Sequence, residues 1–235
     1  MAAPAPLDLL SALRGCPQVP IIAEIKRASP SAGALQRGAS VERLARAYEE
    51  GGAAAISVLT DGPFFQGSLA DLEEARRAVP LPILCKDFIL DPMQIYESRL
   101  AGADAVLLIV AALDSGELRW LYEEALALGL TPLVEVHSHE ELARALALNP
   151  PIVGINNRDL TTLEVSLETC LRLRDRIPPG VMVVGESGIQ GPGDLERLLD
   201  GGVDAFLIGT TLMRSPDPVA SLRGFCRARR HAWSG

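Results

Sequence analysis

A chain of 235 residues, 48% hydrophobic and 22% charged, has an ordinary globular balance and is long enough to bury a full core. Its formal charge of −8 and pI of about 5.0 argue against a nucleic-acid or anionic-membrane partner. They leave room for a small anionic substrate held by a local cluster of Lys, Arg and backbone N–H groups. The opening stretch "MAAPAPLDLLSALRG" has no basic n-region, and Asp8 interrupts it before an apolar region develops, so it does not read as a signal peptide. The longest uncharged apolar run, residues 105–113, is too short to span a bilayer. Cys16, Cys85, Cys170 and Cys226 are scattered with no CxxC pair, which suits reduced thiols in a cytoplasmic protein.

In chain order, a short helix over "LDLLSALRG" precedes a first apolar run, "IIAEIK" (21–26). Similar runs rich in Val, Ile and Leu follow at 54–60, 82–88, 105–110, 131–136, 151–157, 181–187 and 205–211, with a mean spacing of about 26 residues. Between them lie stretches such as "VERLARAYEE", "MQIYESRL", "GELRWLYEEALAL" and "PGDLERLLD", whose apolar residues recur at helical spacing. The junctions "GGAAAI", "AGADAV" and "GGVDAF" resemble one another, with glycine ending a helix in the left-handed region before a buried strand. Strands alternating with helices imply a parallel sheet covered on both faces. Eight such units in one domain, 1–235, predict an α/β fold, a closed (β/α)8 TIM barrel with a short N-terminal helical extension over residues 1–20. The alternative, a doubly wound open sheet, should carry a glycine-rich dinucleotide turn, and "RASPSAGAL" after the first strand is not one.

Polar residues gather at one end of these strands: Glu24 and Lys26, Lys86, Glu135, Asn156 and Arg158, Glu186 and Ser187, and Thr210. Each alone could be a solvated terminus; on one end of several strands they mark the face where barrels carry active sites. Glu24 and Lys26 stand two apart and so share a face of the first strand. Of the 22 basic residues only Lys26 and Lys86 are lysine, each at a strand end. Arginine stays protonated at any useful pH, whereas a desolvated lysine has a lowered pKa and can exchange a proton near neutrality. Lysine is therefore expected here as an acid or base.

"GESGI" (185–189) and "IGTTLM" (208–213) close the last two strands with Gly, Ser and Thr, where barrels commonly hold phosphate on backbone N–H groups. His137 and His139 in "EVHSHEEL" lack further histidines for a metal site; helix entry capped by Ser138 is the expected role, and no metal is predicted. "DGPFFQGS" (61–68) places two phenylalanines on the active face, as plugs or as an apolar wall for a ring.

The strings "IIAEIKRASPS", "SVLTDGPFFQGS", "ILCKDFILDPMQIYE", "GADAVLLIVAAL", "LVEVH", "GINNRDL", "GESGI" and "FLIGTTLM" closely resemble the motifs of indole-3-glycerol phosphate synthase, in that family's order, over roughly residues 20–215. The resemblance implies a lyase of tryptophan biosynthesis. It would convert 1-(2-carboxyphenylamino)-1-deoxyribulose 5-phosphate to indole-3-glycerol phosphate, releasing CO2 and water, with no metal or organic cofactor. It implies Lys86 as the general acid of ring closure, Glu135 and Lys26 as acid/base groups for the later dehydration, and Glu24, Asn156, Glu186 and Ser187 as orienting residues. Arg158 and Ser29 would meet the substrate carboxylate; Phe65, Phe88 and Leu160 would line its ring; Gly188, Gly209 and Thr210 would hold its phosphate. A small phosphorylated substrate is the only partner expected, and the chain is expected to act as a monomer. Two departures stand out: family members usually carry a longer N-terminal extension, and Ala32 stands where "SPSKG" is commoner. The rivals are phosphoribosylanthranilate isomerase, which relies on a cysteine at the first strand and an aspartate at the fifth, a Schiff-base aldolase, and a non-catalytic phosphate-binding barrel.

Overall fold

The computed structural model describes residues 5–29, 33–34, 40–160 and 162–228. Eight parallel strands close a barrel: β1 (Ile21–Ile25), β2 (Ala55–Leu59), β3 (Ile83–Lys86), β4 (Ala105–Ile109), β5 (Thr131–Val136), β6 (Ile152–Asn156), β7 (Met182–Glu186) and β8 (Ala205–Ile208). Closure is made at β1, where Ile22 lies between Leu207 of β8 and Ala55 of β2. Every position of β1, β2, β4, β6 and β7 is buried, which is why these strands read as continuous apolar runs rather than alternating ones.

The helices run α1 (Leu9–Arg14), α2 (Val41–Gly51), α3 (Gly62–Phe65), α4 (Leu69–Ala78), α5 (Pro92–Ala101), α6 (Ser115–Ala127), α7 (His139–Leu146), α8 (Glu168–Arg174), α9 (Pro192–Asp200), α10 (Thr210–Arg214) and α11 (Pro218–Cys226). Their starts are written locally. Asp91 with Gln94, and Asp114 with Glu117, form reciprocal capping boxes; Ser40 and Ser138 accept the N–H groups of Arg43 and Glu141. Each such cap contributes about 1 kcal/mol. The repeated glycine junctions behave as expected, with Gly52, Gly102 and Gly202 at φ of 97°, 100° and 85°.

Period-two alternation divides the apolar residues into two cores. Ile21, Ala23, Ile56, Ile83, Val106 and Phe206 face the helices, while Ile22, Ala55, Leu84, Leu107, Leu133, Ile152 and Leu207 fill the barrel interior. Leu9 and Leu13 of α1 join the interior cluster. Two bonds fix that helix end of the barrel: the Leu7 N–H donates to Asp104 Oδ1 at 2.7 Å, and Arg14 donates to the Gly180 carbonyl at 3.0 Å. Both acceptors lie just before the starts of strands, β4 and β7, so α1 closes the end opposite the polar strand termini. Burying the two leucines contributes roughly 1.5–3 kcal/mol each.

The strands stop earlier than the apolar runs suggest. Val110 belongs to a 3-10 turn, Val110–Ala112, and the run at 205–211 leaves the sheet at Ile208 because Thr210 already starts α10. Past β1, the chain forms a short antiparallel ribbon of Ala28–Ser29 with Gly33–Ala34, which alternation did not signal. The Ser29 side chain and Ala32 lie outside the described residues.

Candidate active site

Strand register decides which side chains meet. Positions that face the interior at the bottom of the barrel are apolar; two or four residues further along the same strands they become Glu24, Ser57, Lys86, Glu135, Asn156 and Glu186. Lys86, the last residue of β3, places its Nζ 3.1 Å from Glu135 Oε2 and 3.1 Å from Glu186 Oε2. Asn156 Nδ2 donates to the other oxygen of Glu135, Oε1, at 3.2 Å. Just past the end of β1, which lies between β8 and β2, Lys26 Nζ donates to Glu24 Oε1 at 2.7 Å. Four strands thus contribute to one network, and a fifth supplies a charge pair beside it.

Two glycines make room for these carboxylates. A Cβ on Gly154 of β6 would stand 2.3 Å from Glu186 Oε1, and one on Gly209 would stand 2.1 Å from Glu24 Oε1 and 3.0 Å from Lys26 Nζ. Neither position can carry a side chain without moving a charged group.

The electrostatics correct one expectation. A lowered lysine pKa was expected, and burial does oppose the charge on Lys86. Glu135, Glu186 and Glu24 together outweigh that burial and hold its ammonium well above the usual lysine range. Lys86 is a firmly held cation. Burial likewise works against ionising Glu135, but Lys86, His137 and the Asn156 amide draw its carboxyl below the usual range. Glu186 goes the other way. Burial, joined by repulsion from Glu135 and only partly offset by Lys86, pushes it up to about 8. Near neutral pH the cluster is therefore an ammonium, one carboxylate and one protonated carboxyl.

Around this centre, Ser187 (φ 62°) and Gly188 (φ 82°) turn the chain sharply off β7. A Cβ at Gly188 would also meet Val165 Cγ1 at 2.7 Å. Thr210 opens α10 directly after Gly209. Arg158, just past β6, donates from its main chain to Asn156 Oδ1 and from its guanidinium to the Leu163 carbonyl at 3.1 Å, on the rim. Leu160 is exposed beside it. Phe88 lies beyond Lys86 with Phe65 tilted against it at a centroid distance of 6.5 Å.

Phe64, with Phe65 one of the two phenylalanines that the sequence placed on the active face, packs edge-on to Phe88 at 6.1 Å. Two residues do more than the sequence reading gave them. Asn157 is buried; its side chain accepts the Cys170 N–H and donates to the Ser187 carbonyl, tying β6, α8 and the Ser187 turn together. His137 does more than precede a capped helix: its Nε2 lies 3.4 Å from Glu135 Oε1. The signal was present, since Glu135 and His137 stand two apart just as Glu24 and Lys26 do.

A family model described as indole-3-glycerol phosphate synthase matches residues 2–225. The chain belongs to the indole-3-glycerol phosphate synthase family. Proteins of that name from Mycobacterium ulcerans, Rhodopirellula baltica and Aromatoleum aromaticum are 49%, 52% and 50% identical to it over 230, 210 and 222 residues. Those alignments cover 98%, 89% and 93% of this chain and 84%, 81% and 85% of the relatives. Among solved structures, a thiamine phosphate pyrophosphorylase from Pyrococcus furiosus superposes with a TM-score of 0.66 at 18% identity, covering 93% of this chain and 96% of that one. At that identity the likeness is one of fold, and the indole-3-glycerol phosphate synthase family is where the sequence places the chain.

Proposed function

We propose that the chain catalyses the indole-3-glycerol phosphate synthase reaction, the closure of 1-(2-carboxyphenylamino)-1-deoxyribulose 5-phosphate to an indole with loss of CO2 and water. The observation that carries this reading is the Lys86 ammonium held 3.1 Å from two carboxyl groups at the C-terminal mouth of the barrel. Ring closure needs a proton delivered to the substrate carbonyl as the ring carbon attacks it. An ammonium with a raised pKa is a weak acid toward water, but the oxygen becoming an alkoxide is more basic still, so Lys86 donates to it. Departure of CO2 returns its electron pair to the ring.

Dehydration then takes a hydroxyl and a proton from neighbouring carbons. Glu135, ionised beside Lys86 and Asn156, is suited to accept the proton. Lys26, paired with Glu24 at 2.7 Å, is suited to protonate the leaving hydroxyl. Glu186, protonated up to about pH 8, and Ser187 can hydrogen-bond substrate hydroxyls. Arg158 and Ser29 would hold the carboxylate, and Phe65, Phe88 and Leu160 the anthranilate ring. Main-chain N–H groups around Gly188, Gly209 and Thr210 would hold the phosphate. These residues account for each proton transfer, so the reading asks for no metal or organic cofactor. On this reading the protein acts as a monomer in the cytoplasm. No helix of the described residues is long and apolar enough to cross a membrane.

A Schiff-base aldolase would need Lys86 as a neutral amine, and its two carboxyl neighbours oppose that. Incubating the purified protein with the carboxyphenylamino-deoxyribulose phosphate should generate indole fluorescence. A borohydride-trapped adduct on Lys86 with no fluorescent product would instead support the aldolase.

A further inference from the structure

His137 follows β5 and projects to the same side as Glu135. Its Nδ1 lies 3.1 Å from Glu141 Oε2, and that same oxygen accepts the His137 main-chain N–H at 2.8 Å. Glu141 is itself fixed, because its N–H donates to the Ser138 hydroxyl that caps α7. Burial works against the Glu141 charge, yet the His137 contacts outweigh it and keep the carboxyl below its usual range. An ionised carboxylate only accepts, so Nδ1 must carry a hydrogen. That leaves Nε2, a buried atom with no hydrogen-bond partner, 3.4 Å from Glu135 Oε1. If Nε2 were bare, two lone-pair-bearing atoms would face each other out of contact with water. A proton on Nε2 removes the conflict.

We propose that His137, oriented by Glu141, is a positioning residue for Glu135: its Nε2–H faces Oε1 and keeps Glu135 in the ionised form in which it accepts the substrate's proton. The proposal rests on the reading of Glu135 as the base of the dehydration. The proton stays on the imidazole, and Glu135 alone takes up the one that leaves the substrate carbon. The charged groups around the ring are Glu135 on β5, Glu141 on α7 and Lys86 on β3. Burial and Lys86 oppose the imidazolium, and the two carboxylates override them to raise the His137 pKa. This is the orientation logic of an imidazole fixed through one nitrogen so that the other meets the reacting group.

The test has two arms. In the wild-type protein, 15N NMR of the histidine ring should show both His137 nitrogens protonated at neutral pH; a bare Nε2 there would overturn the proposal. In the second arm, His137→Asn keeps an amide donor near Glu141 but nothing near Glu135. Loss of an opposite charge at this range should move the acidic limb of the kcat profile up by about one to three pH units, with KM unchanged. An unmoved limb in a folded variant sinks the idea. His137→Gln, which returns a donor near Glu135 without a charge, should recover part of the rate at high pH but leave the limb displaced. Glu135→Gln separates the two levels. If it turns over substrate normally, the base assignment fails whatever His137 does. If it is inactive while His137→Asn keeps the wild-type profile, only the positioning role fails.

Discussion

At the N-terminal end of the barrel, Asp104 is buried and fully used: Oδ1 accepts the Leu7 N–H, and Oδ2 accepts both the Ile83 N–H and the Arg76 guanidinium. Asp204, at the matching place in the "GGVDAF" junction, accepts the Val183 N–H at 2.9 Å. At the opposite end Glu186 is equally buried, yet its Oε1 has no hydrogen-bond partner, and neither have Ser57 Oγ and His137 Nε2. The two ends carry similar carboxylates at similar burial and treat them differently. Buried polar groups without partners are costly, and a fold tolerates them where something else is meant to complete them. The bottom of this barrel is built for stability, and the top for a ligand and for proton exchange.

The largest effect expected from this contrast is at the top. Lys86→Arg should lower kcat by about 10²–10⁴, the usual worth of a general acid, while leaving the melting temperature nearly unchanged. Because the Lys86 ammonium is itself held strongly protonated, the loss comes less from acidity than from shape. A planar fork cannot direct donors at Glu135, Glu186 and the substrate oxygen from one point. Near-wild-type turnover in this variant, with none in Lys86→Met, would reduce Lys86 to an electrostatic anchor.

The converse belongs to the bottom. Asp104→Ala strands two main-chain N–H groups and a partly buried guanidinium, so it should cost about 3–5 kcal/mol of stability by denaturant melts. Turnover per folded molecule should be unaffected; a kcat loss without a stability loss would erase the distinction between the two ends.

A smaller effect is expected from Gly209→Ala. The added Cβ would overlap Glu24 Oε1 at 2.1 Å and push the Glu24–Lys26 pair aside. Misplacement of about 1 Å can cost about 10²-fold in rate. Steady-state kinetics should show that loss mainly in kcat, and an unaltered kcat would remove Lys26 from the chemistry.

The last and smallest effect is in pH dependence. Glu186 has its folded pKa raised from 4.5 to about 8, so the stability gained by keeping its proton is full below 4.5 and is lost as pH rises toward 8. Glu135, with a lowered pKa, contributes in the opposite sense, and its share disappears as pH falls below the carboxylate range. Glu186→Gln should therefore flatten the decline in melting temperature between pH 4.5 and about 8. A variant whose decline parallels the wild type would place the titrating group elsewhere.

Much of this is legible in the sequence alone. Strand number and order follow from the spacing of apolar runs, because a strand covered on both faces must be apolar throughout. Helix starts follow from Asp, Ser and Glu at capping positions, which act within a single turn. Which end of the barrel is polar, and that Lys86, Glu135, Asn156 and Glu186 belong together, follows from every strand running the same way. The strand ends were less legible: Gly209 and Thr210 continue an apolar-looking run, yet α10 begins there.

What only the tertiary structure decided is each group's electrical and steric environment. A lysine at a strand end has no fixed pKa until its neighbours across the barrel are known; two carboxyl groups 3.1 Å away turned an expected lowering into a rise. Glu135 and Glu186 are the same residue type at equivalent strand ends, and only their unequal shares of Lys86, Asn156 and His137 separate their proton affinities. Gly154 and Gly209 look like ordinary glycines until a carboxylate from another strand occupies the space a side chain would fill. Periodicity and capping are local, so the chain states them directly. Charge coupling and close packing join residues as far apart as Lys86 and Glu186, and they exist only once the barrel has closed.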